Sequence, residues 1–119
     1  MKINLDRVPA THDEAVQFVL DSLAPADVEV MCAPDFSIVD VHHTIGRYLR
    51  NSWSLWESAS VLVQHYRTVH RIGHADDISS MILSEVWARV RAVPFDRAAC
   101  IAVFHTHWKA QGLTELGEP

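Results

Sequence analysis

Apolar residues recur along this chain at spacings of three and four, and nowhere in strict alternation, so the pattern is helical throughout. Ala15, Val16, Val19, Leu20 and Leu23 form the first set. Thr11 and Glu14 stand before it at capping-box spacing, which predicts a helix over 11–23 that stops before Pro25. Ahead of it, residues 1–10 read as an extended N-terminal arm packed through Ile3 and Leu5. Residues 25–34 read as a connector carrying Asp27 and Glu29, with a short turn of helix over 27–31.

A second long helix is expected to open at Pro34-Asp35. Ile38, Val41, Ile45, Tyr48 and Leu49 make one stripe on it, and Phe36, Val39, His43, Gly46 and Arg50 a neighbouring one. A helix with two such faces is expected to be covered on both and to sit at the centre of the fold. The stretch from Val39 to Trp56 is therefore read as the central helix and its exit turn, with a break over 51–54. Leu55, Ala59, Leu62, Tyr66 and Val69 carry a third helix to about His70, and Gly73 suits the left-handed position after its end. Asp76 or Asp77 is expected to cap a fourth helix that buries Ile78, Met81, Ile82, Leu83, Val86, Trp87 and Val90. After Pro94, Asp96 starts a fifth, with Ala98, Ala99, Ile101, Ala102, His105 and Trp108 inward. Residues 112–119 read as a polar C-terminal tail that frays. The whole predicts an all-α protein, a compact bundle of about five helices in a single domain over 1–119.

A chain of 119 residues is long enough to bury a core. Its 49 % apolar and 21 % charged residues suit a soluble globular protein and exclude a disordered one. The net charge of −5 removes a general nucleic-acid binder from consideration, since such a protein needs a basic face to release counterions. Eight Arg stand against Lys2 and Lys109, which points either to paired or stacked guanidinium groups or to composition bias. Cys32 and Cys100 are too few for a disulfide framework and read as free thiols in a reducing cytosol. No apolar run is long enough to span a bilayer, and charges interrupt the N-terminal segment where a signal peptide would be apolar. The expectation is a cytoplasmic protein with no membrane partner.

Candidate chemistry concentrates in two places. His43, Gly46 and Arg50 lie one turn apart on one face, with Asn51 following, and a buried Arg50 needs an acid. Asp76 and Asp77, preceded by His74, are the acids at hand. One reading is a structural polar network that fixes helix register. The other is a ligand or active-site pocket between the second and fourth helices. Eight His raise the question of a metal, but His42 and His43 are adjacent, His105 and His107 are two apart, and Gly73 interrupts the His70–His74 spacing. A site assembled from His43, His74 and Asp77 is the remaining metal candidate. No nucleophile elbow or phosphate-binding glycine loop is present. Cys100 lies in an apolar helical run and Cys32 in a connector, so neither is an evident nucleophile. No cofactor is implied. Trp53 and Trp56 at the exit turn are core residues by default and a partner-binding surface if exposed.

The joint pattern H-x-x-[IL]-G-x-x-[IL]-R-N-x-W-x-L-W, then H-x-D-D-x-S, runs from His42 to Trp56 and from His74 to Ser79. On those residues the chain resembles a widespread family of small bacterial proteins of unknown function. That family usually has Gly where Ser54 stands and Pro where Ala75 stands, departures that bear on two turns and not on the helices. The resemblance covers about 35–90, takes in the first helix more loosely, and leaves the residues after Pro94 as this chain's own extension. It implies a small helical fold, two polar clusters that belong together, no established activity and no catalytic residues. Acidic charge, small size and no assembled catalytic set make a non-enzymatic protein-binding domain the leading expectation, with a small-ligand binder or enzyme using the His/Arg/Asp pocket as the alternative. A homodimer through Ile101, Val103, Phe104 and Trp108 of the last helix is a third option.

Overall fold

The Thr11 side chain accepts the Glu14 N–H at 3.2 Å, and this bond starts α1, His12–Ser22. Glu14 reaches back to the Ala10 N–H at 2.8 Å, one residue earlier than a standard capping box. The structure is a computed structural model that describes residues 7–119, so the expected packing of Ile3 and Leu5 lies outside the described residues. The short turn expected over 27–31 within the connector is a full helix, α2, Pro25–Met31, which starts two residues earlier. Proline at the first helical position has no N–H to lose, and Asp27 three residues after the cap accepts the Ala24 N–H at 2.8 Å.

The next helix, α3, spans 38–52 and starts later than Pro34-Asp35 suggested. It is not a uniform α-helix: Ile38–Val41 and Arg47–Ser52 are joined by a π-helical turn, His42–Gly46. Its outer face is open, with Val39, His43 and Tyr48 exposed, so it is not the doubly covered centre. Residues 53–60 form turns that bury Trp53 and Leu55, which places the start of the next helix at Val61 and not at Leu55. That helix, α4, spans 61–70 and also ends in a π-helical turn, Tyr66–His70. Its left-handed terminal residue is Arg71 (φ 58°), with the Ile72 N–H bonded to the Tyr66 carbonyl at 3.1 Å. Gly73 serves another purpose: a Cβ there would lie 2.8 Å from the Arg67 guanidinium, so its absence makes room for that side chain.

The central element is α5, Ala75–Val90, which packs against α1, α2, α3 and α6. His74 caps it, its Nδ1 accepting the Asp76 N–H at 3.1 Å, in place of the expected Asp76 or Asp77. Ile78, Met81, Ile82, Leu83 and Val86 are buried on it together with Ser79 and Glu85. The last helix, α6, Arg97–Ala110, is capped by Asp96, which accepts the Ala99 N–H at 3.0 Å. It turns Cys100, Ile101 and Phe104 toward the core, while Ala98, Ala99 and Ala102 face outward, contrary to expectation. The C-terminal residues do not fray. Leu116 is buried, Glu115 and Glu118 pair with Arg71 and Arg67 at 2.8 and 2.6 Å, and Gly117 (φ 81°) lies flat against the Trp108 ring. Among the described residues the fold is all-helical, with six helices where the pattern predicted about five. None of them is long and apolar enough to cross a membrane.

Candidate functional site

The expected cluster forms in part. Arg50 is 8 % exposed and reaches from α3 to the first turn of α5. Its Nη1 donates to the Ser79 Oγ at 2.9 Å and its Nε faces the Asp76 carboxylate at 3.3 Å. Gly46 makes this possible, because a Cβ there would stand 2.9 Å from the same Nη1. Of the other expected members only His74 stays close, its Nδ1 3.8 Å from the Asp76 carboxylate. His43 is exposed, and its place is taken by His42, whose Nδ1 lies 3.1 Å from the Ser80 Oγ. The π turn causes the exchange: one extra residue in the turn brings His42, four before Gly46, onto the face that regular helical spacing assigns to His43. Asn51 is exposed and takes no part. Asp77 points away and accepts the Trp108 Nε1–H at 2.7 Å, and burial pushes its carboxyl up from the ordinary range. The His74 ring stands between Trp56, edge-on at 5.8 Å, and Trp108, tilted at 5.2 Å. Of the two tryptophans offered as a partner surface, Trp53 is fully buried and only Trp56, at 59 %, is exposed.

Arg50→Ala is expected to cost about 1–3 kcal/mol, the worth of a hydrogen bond from a charged donor. The Ser79 hydroxyl keeps its bond to the Asp76 carbonyl at 3.1 Å, and the Asp76 side chain is 47 % exposed and can take water instead. A thermal melt checks this, and an unchanged midpoint would mean that Arg50 holds nothing together.

A second cluster, unforeseen from the sequence, is more deeply buried. His12 opens α1, Tyr66 ends the regular part of α4, Glu85 sits in the middle of α5 and Arg97 opens α6. His12 Nδ1 lies 2.5 Å from the Tyr66 hydroxyl and its Nε2 3.0 Å from Glu85 Oε1. Arg97 donates to both Glu85 oxygens, at 2.6 and 2.9 Å, and to Asp13 at 2.5 Å. Arg89 adds a further bond to Glu85 Oε2 at 2.7 Å. Glu85 is only 3 % exposed, yet each of its oxygens accepts two charged or polar donors. Burial by itself raises the carboxyl, but the hydrogen bonds and charges of Arg97 and His12 outweigh it and hold it down at about 2. The His70 ring packs against His12 at 5.8 Å and against His65 at 5.2 Å, and His65 Nε2 is buried without a partner among the described residues. Burial pulls His12, His65 and His70 below the ordinary histidine value, so all three are neutral imidazoles.

Protonation states fix the direction of the chain. An ionised Glu85 only accepts, so His12 Nε2 carries the proton and Nδ1 accepts from the Tyr66 O–H. Hydroxyl, imidazole and carboxylate then stand in the order of a hydrolytic triad. The hydroxyl is sealed, however: Tyr66 is fully buried, and burial with the Glu85 charge raises its pKa well above the ordinary phenol range. It keeps its proton and meets no substrate. The open cleft of about 620 Å³ beside this cluster is lined by Arg89, Arg97, Phe95 and Asp96, with both guanidinium groups already bonded to Glu85. Among the described residues no group of three or more His, Cys, Asp or Glu is placed to hold a metal ion, and His43, His74 and Asp77 do not converge. Burial, with the Asp77 and Glu85 charges, raises the Cys100 thiol to about 11, which removes it as a nucleophile at neutral pH.

One signal for this cluster was present in the sequence. Glu85 lies on the stripe Ile78–Ile82–Glu85–Arg89, where the first two positions are core residues. A carboxylate on such a stripe needs cationic partners, but only the fold shows that they are His12 and Arg97. No curated protein and no solved structure matches the chain. The family described as Domain of unknown function (DUF6794) matches residues 8–90, a span from His12 to Glu85 and from α1 to the end of α5. With well over half of its length matched in this way, the chain belongs to that family.

Proposed function

We propose that this protein is a non-enzymatic protein-binding domain that presents Trp56 to its partner. The observation that carries the reading is the exposure of Trp56, at 59 %, on the exit turn beside His74. A large aromatic ring held edge-on by a neighbour, with its other faces in water, is the usual anchor of a binding hot spot. The state of the polar groups supports the same reading. Arg50 is spent on Ser79 and Asp76, Tyr66 is sealed, and Glu85 is saturated, so none of them is left to act on a substrate.

Trp56→Ala is expected to weaken partner binding by about 2 kcal/mol or more, near 30-fold. The measurement is affinity capture and titration of the captured protein with wild type, Trp56→Ala and, as a control at an exposed position on another helix, Val103→Asp. Equal binding by wild type and Trp56→Ala would sink the assignment. The alternative, a small-ligand or enzymatic pocket between α3 and α5, is favoured by one feature. His42 and Ser80, 3.1 Å apart, line a hollow of about 150 Å³ with Ile38, Val39 and Leu83. A homodimer through α6 has less support, because Ile101, Phe104 and Trp108 are half-buried and only Val103 of that set is exposed.

A further inference from the structure

Residues 91–119 run along the outside of the fold, and Leu116 is the only one of them that is buried. α6 is nevertheless held at both ends. Its first residue, Arg97, is bonded to Glu85 and Asp13. Its last turn and the tail are held by other contacts. His105 Nε2 donates to the Arg71 carbonyl at 2.8 Å, Trp108 Nε1 donates to Asp77, Glu115 pairs with Arg71 and Glu118 with Arg67. Leu116 packs over Gly73. Arg71 and Glu118 are half in water, so both ion pairs are of the surface kind that contributes little and is screened by salt. Exposed polar contacts with little buried apolar area mark a segment that opens by itself while the rest stays folded.

Trp108 occupies a defined seat in this segment. Its indole N–H is on the Asp77 carboxylate, Gly117 lies against its ring, and the His74 ring meets it at 5.2 Å. Trp56 meets the same His74 ring, edge-on at 5.8 Å, and is exposed. One imidazole therefore joins the aromatic ring open to a partner and the aromatic ring that the tail holds.

We infer that residues 105–119 are an autoinhibitory strap: it opens locally, and the seat of Trp108 on His74 and Asp77 then takes a Trp or Tyr side chain from an acidic segment of the partner protein. The strap is the template for that occupant. Trp108 shows that the seat accepts an apolar ring with an N–H or O–H donor for Asp77. Glu115 and Glu118 show that the same segment carries acids, since opening frees Arg67 and Arg71 for other carboxylates. With the strap closed a partner meets Trp56 alone, and with it open Trp56 and the seat lie on either side of His74. This assignment rests on the protein-binding reading, to which it adds a second anchor under control of the chain itself.

The first test is hydrogen exchange of the full wild-type chain, read by mass spectrometry at low and high salt. Residues 105–119 are expected to exchange through an opening of their own while α5 stays protected, and faster as salt rises. Glu115→Lys/Glu118→Lys, which sets like charges against Arg67 and Arg71, is expected to speed that exchange about tenfold. Exchange of 105–119 only together with α5, in one global unfolding, overturns the strap. The probe for the seat is a labelled synthetic peptide with the sequence of residues 105–119. It is expected to bind the full chain carrying Trp108→Ala/Glu115→Lys/Glu118→Lys about tenfold more tightly than wild type, and to lose that gain when its own Trp is replaced by Ala. Equal binding to the two chains, or by the two peptides, overturns the seat. Where the triple variant fails to fold, Glu115→Lys/Glu118→Lys serves as the opened chain. Opening and peptide binding with failed Trp56-dependent capture keep the strap and remove Trp56 as the anchor; capture through Trp56 with no separate opening does the reverse.

Discussion

Glu85→Ala is expected to lower stability by about 1–3 kcal/mol, the range for leaving a buried donor unsatisfied. The size follows from what is left behind. Glu85 is the acceptor for Arg97, Arg89 and His12; the two arginines, 34 % and 43 % exposed, can turn to water, but the buried His12 Nε2–H cannot. Arg97 keeps only the exposed Asp13, and the buried His12 keeps only the Tyr66 hydroxyl. The damage is also topological, because the Glu85 carboxylate ties α1 and α6 to α5. Urea unfolding followed by circular dichroism measures the effect, with an unchanged slope showing that the folded form remains compact. Glu85→Ala combined with Arg97→Ala is expected to cost clearly less than the sum of the two single changes, because both remove the same bonds. Additive losses, or a single-variant loss below about 1 kcal/mol, would mean that water already enters the network.

The parts of this fold that could be read from sequence are those set by local rules. Thr11 and Asp96 announced their helices because a cap needs only a side-chain oxygen and a nearby N–H. The apolar stripe of α5 was legible for the same reason: helical spacing carries it. Three features broke the local rules. Pro25 looked like a terminator but stands at the first position of α2, where proline is tolerated. The π turns in α3 and α4 each change the phase of a helix, which moved His42 into the position expected for His43. The centre of the fold passed from α3 to α5 because two polar residues, Ser79 and Glu85, complete the buried faces of α5. The Arg50–Asp76 pair was within reach of sequence reasoning, since a buried arginine demands an acid and Asp76 stands at the start of the helix facing it. The His12–Glu85 contact was not. It joins residues 73 positions apart, and no spacing rule connects them.

Acidification from neutral pH is expected to destabilise this protein before its carboxylates titrate. His12, His65 and His70 all have folded pKa values below the ordinary 6.5, with burial as the first cause in each case. A histidine depressed in this way binds protons more readily in the unfolded chain. Its contribution to stability is therefore complete above about 6.5 and is lost as pH falls through the folded pKa. The three act together because their rings touch in series, His12 to His70 to His65, so a charge on one opposes a charge on the next. The neighbouring charges temper the loss without reversing it. Glu85 favours a charged His12, Arg97 opposes it, and Asp13 acts on His65 and His70 in the same sense as Glu85 acts on His12. Asp77 works against the trend, since its raised carboxyl gains protons on folding as pH falls. Glu85, held at about 2 against an ordinary 4.5, contributes stability that disappears only between those values, which sets a second and lower transition. Urea midpoints measured across the acid range should therefore fall in two steps. The upper step should shrink in His65→Asn/His70→Asn, which retains side-chain polarity but removes two of the three titrating groups. The lower step should shrink in Glu85→Gln, leaving the part contributed by Asp13, Glu115 and Glu118, whose carboxyls are also lowered by their arginine partners. A flat midpoint between neutral pH and the carboxylate range would show that water reaches these imidazoles and leaves them at their ordinary pKa.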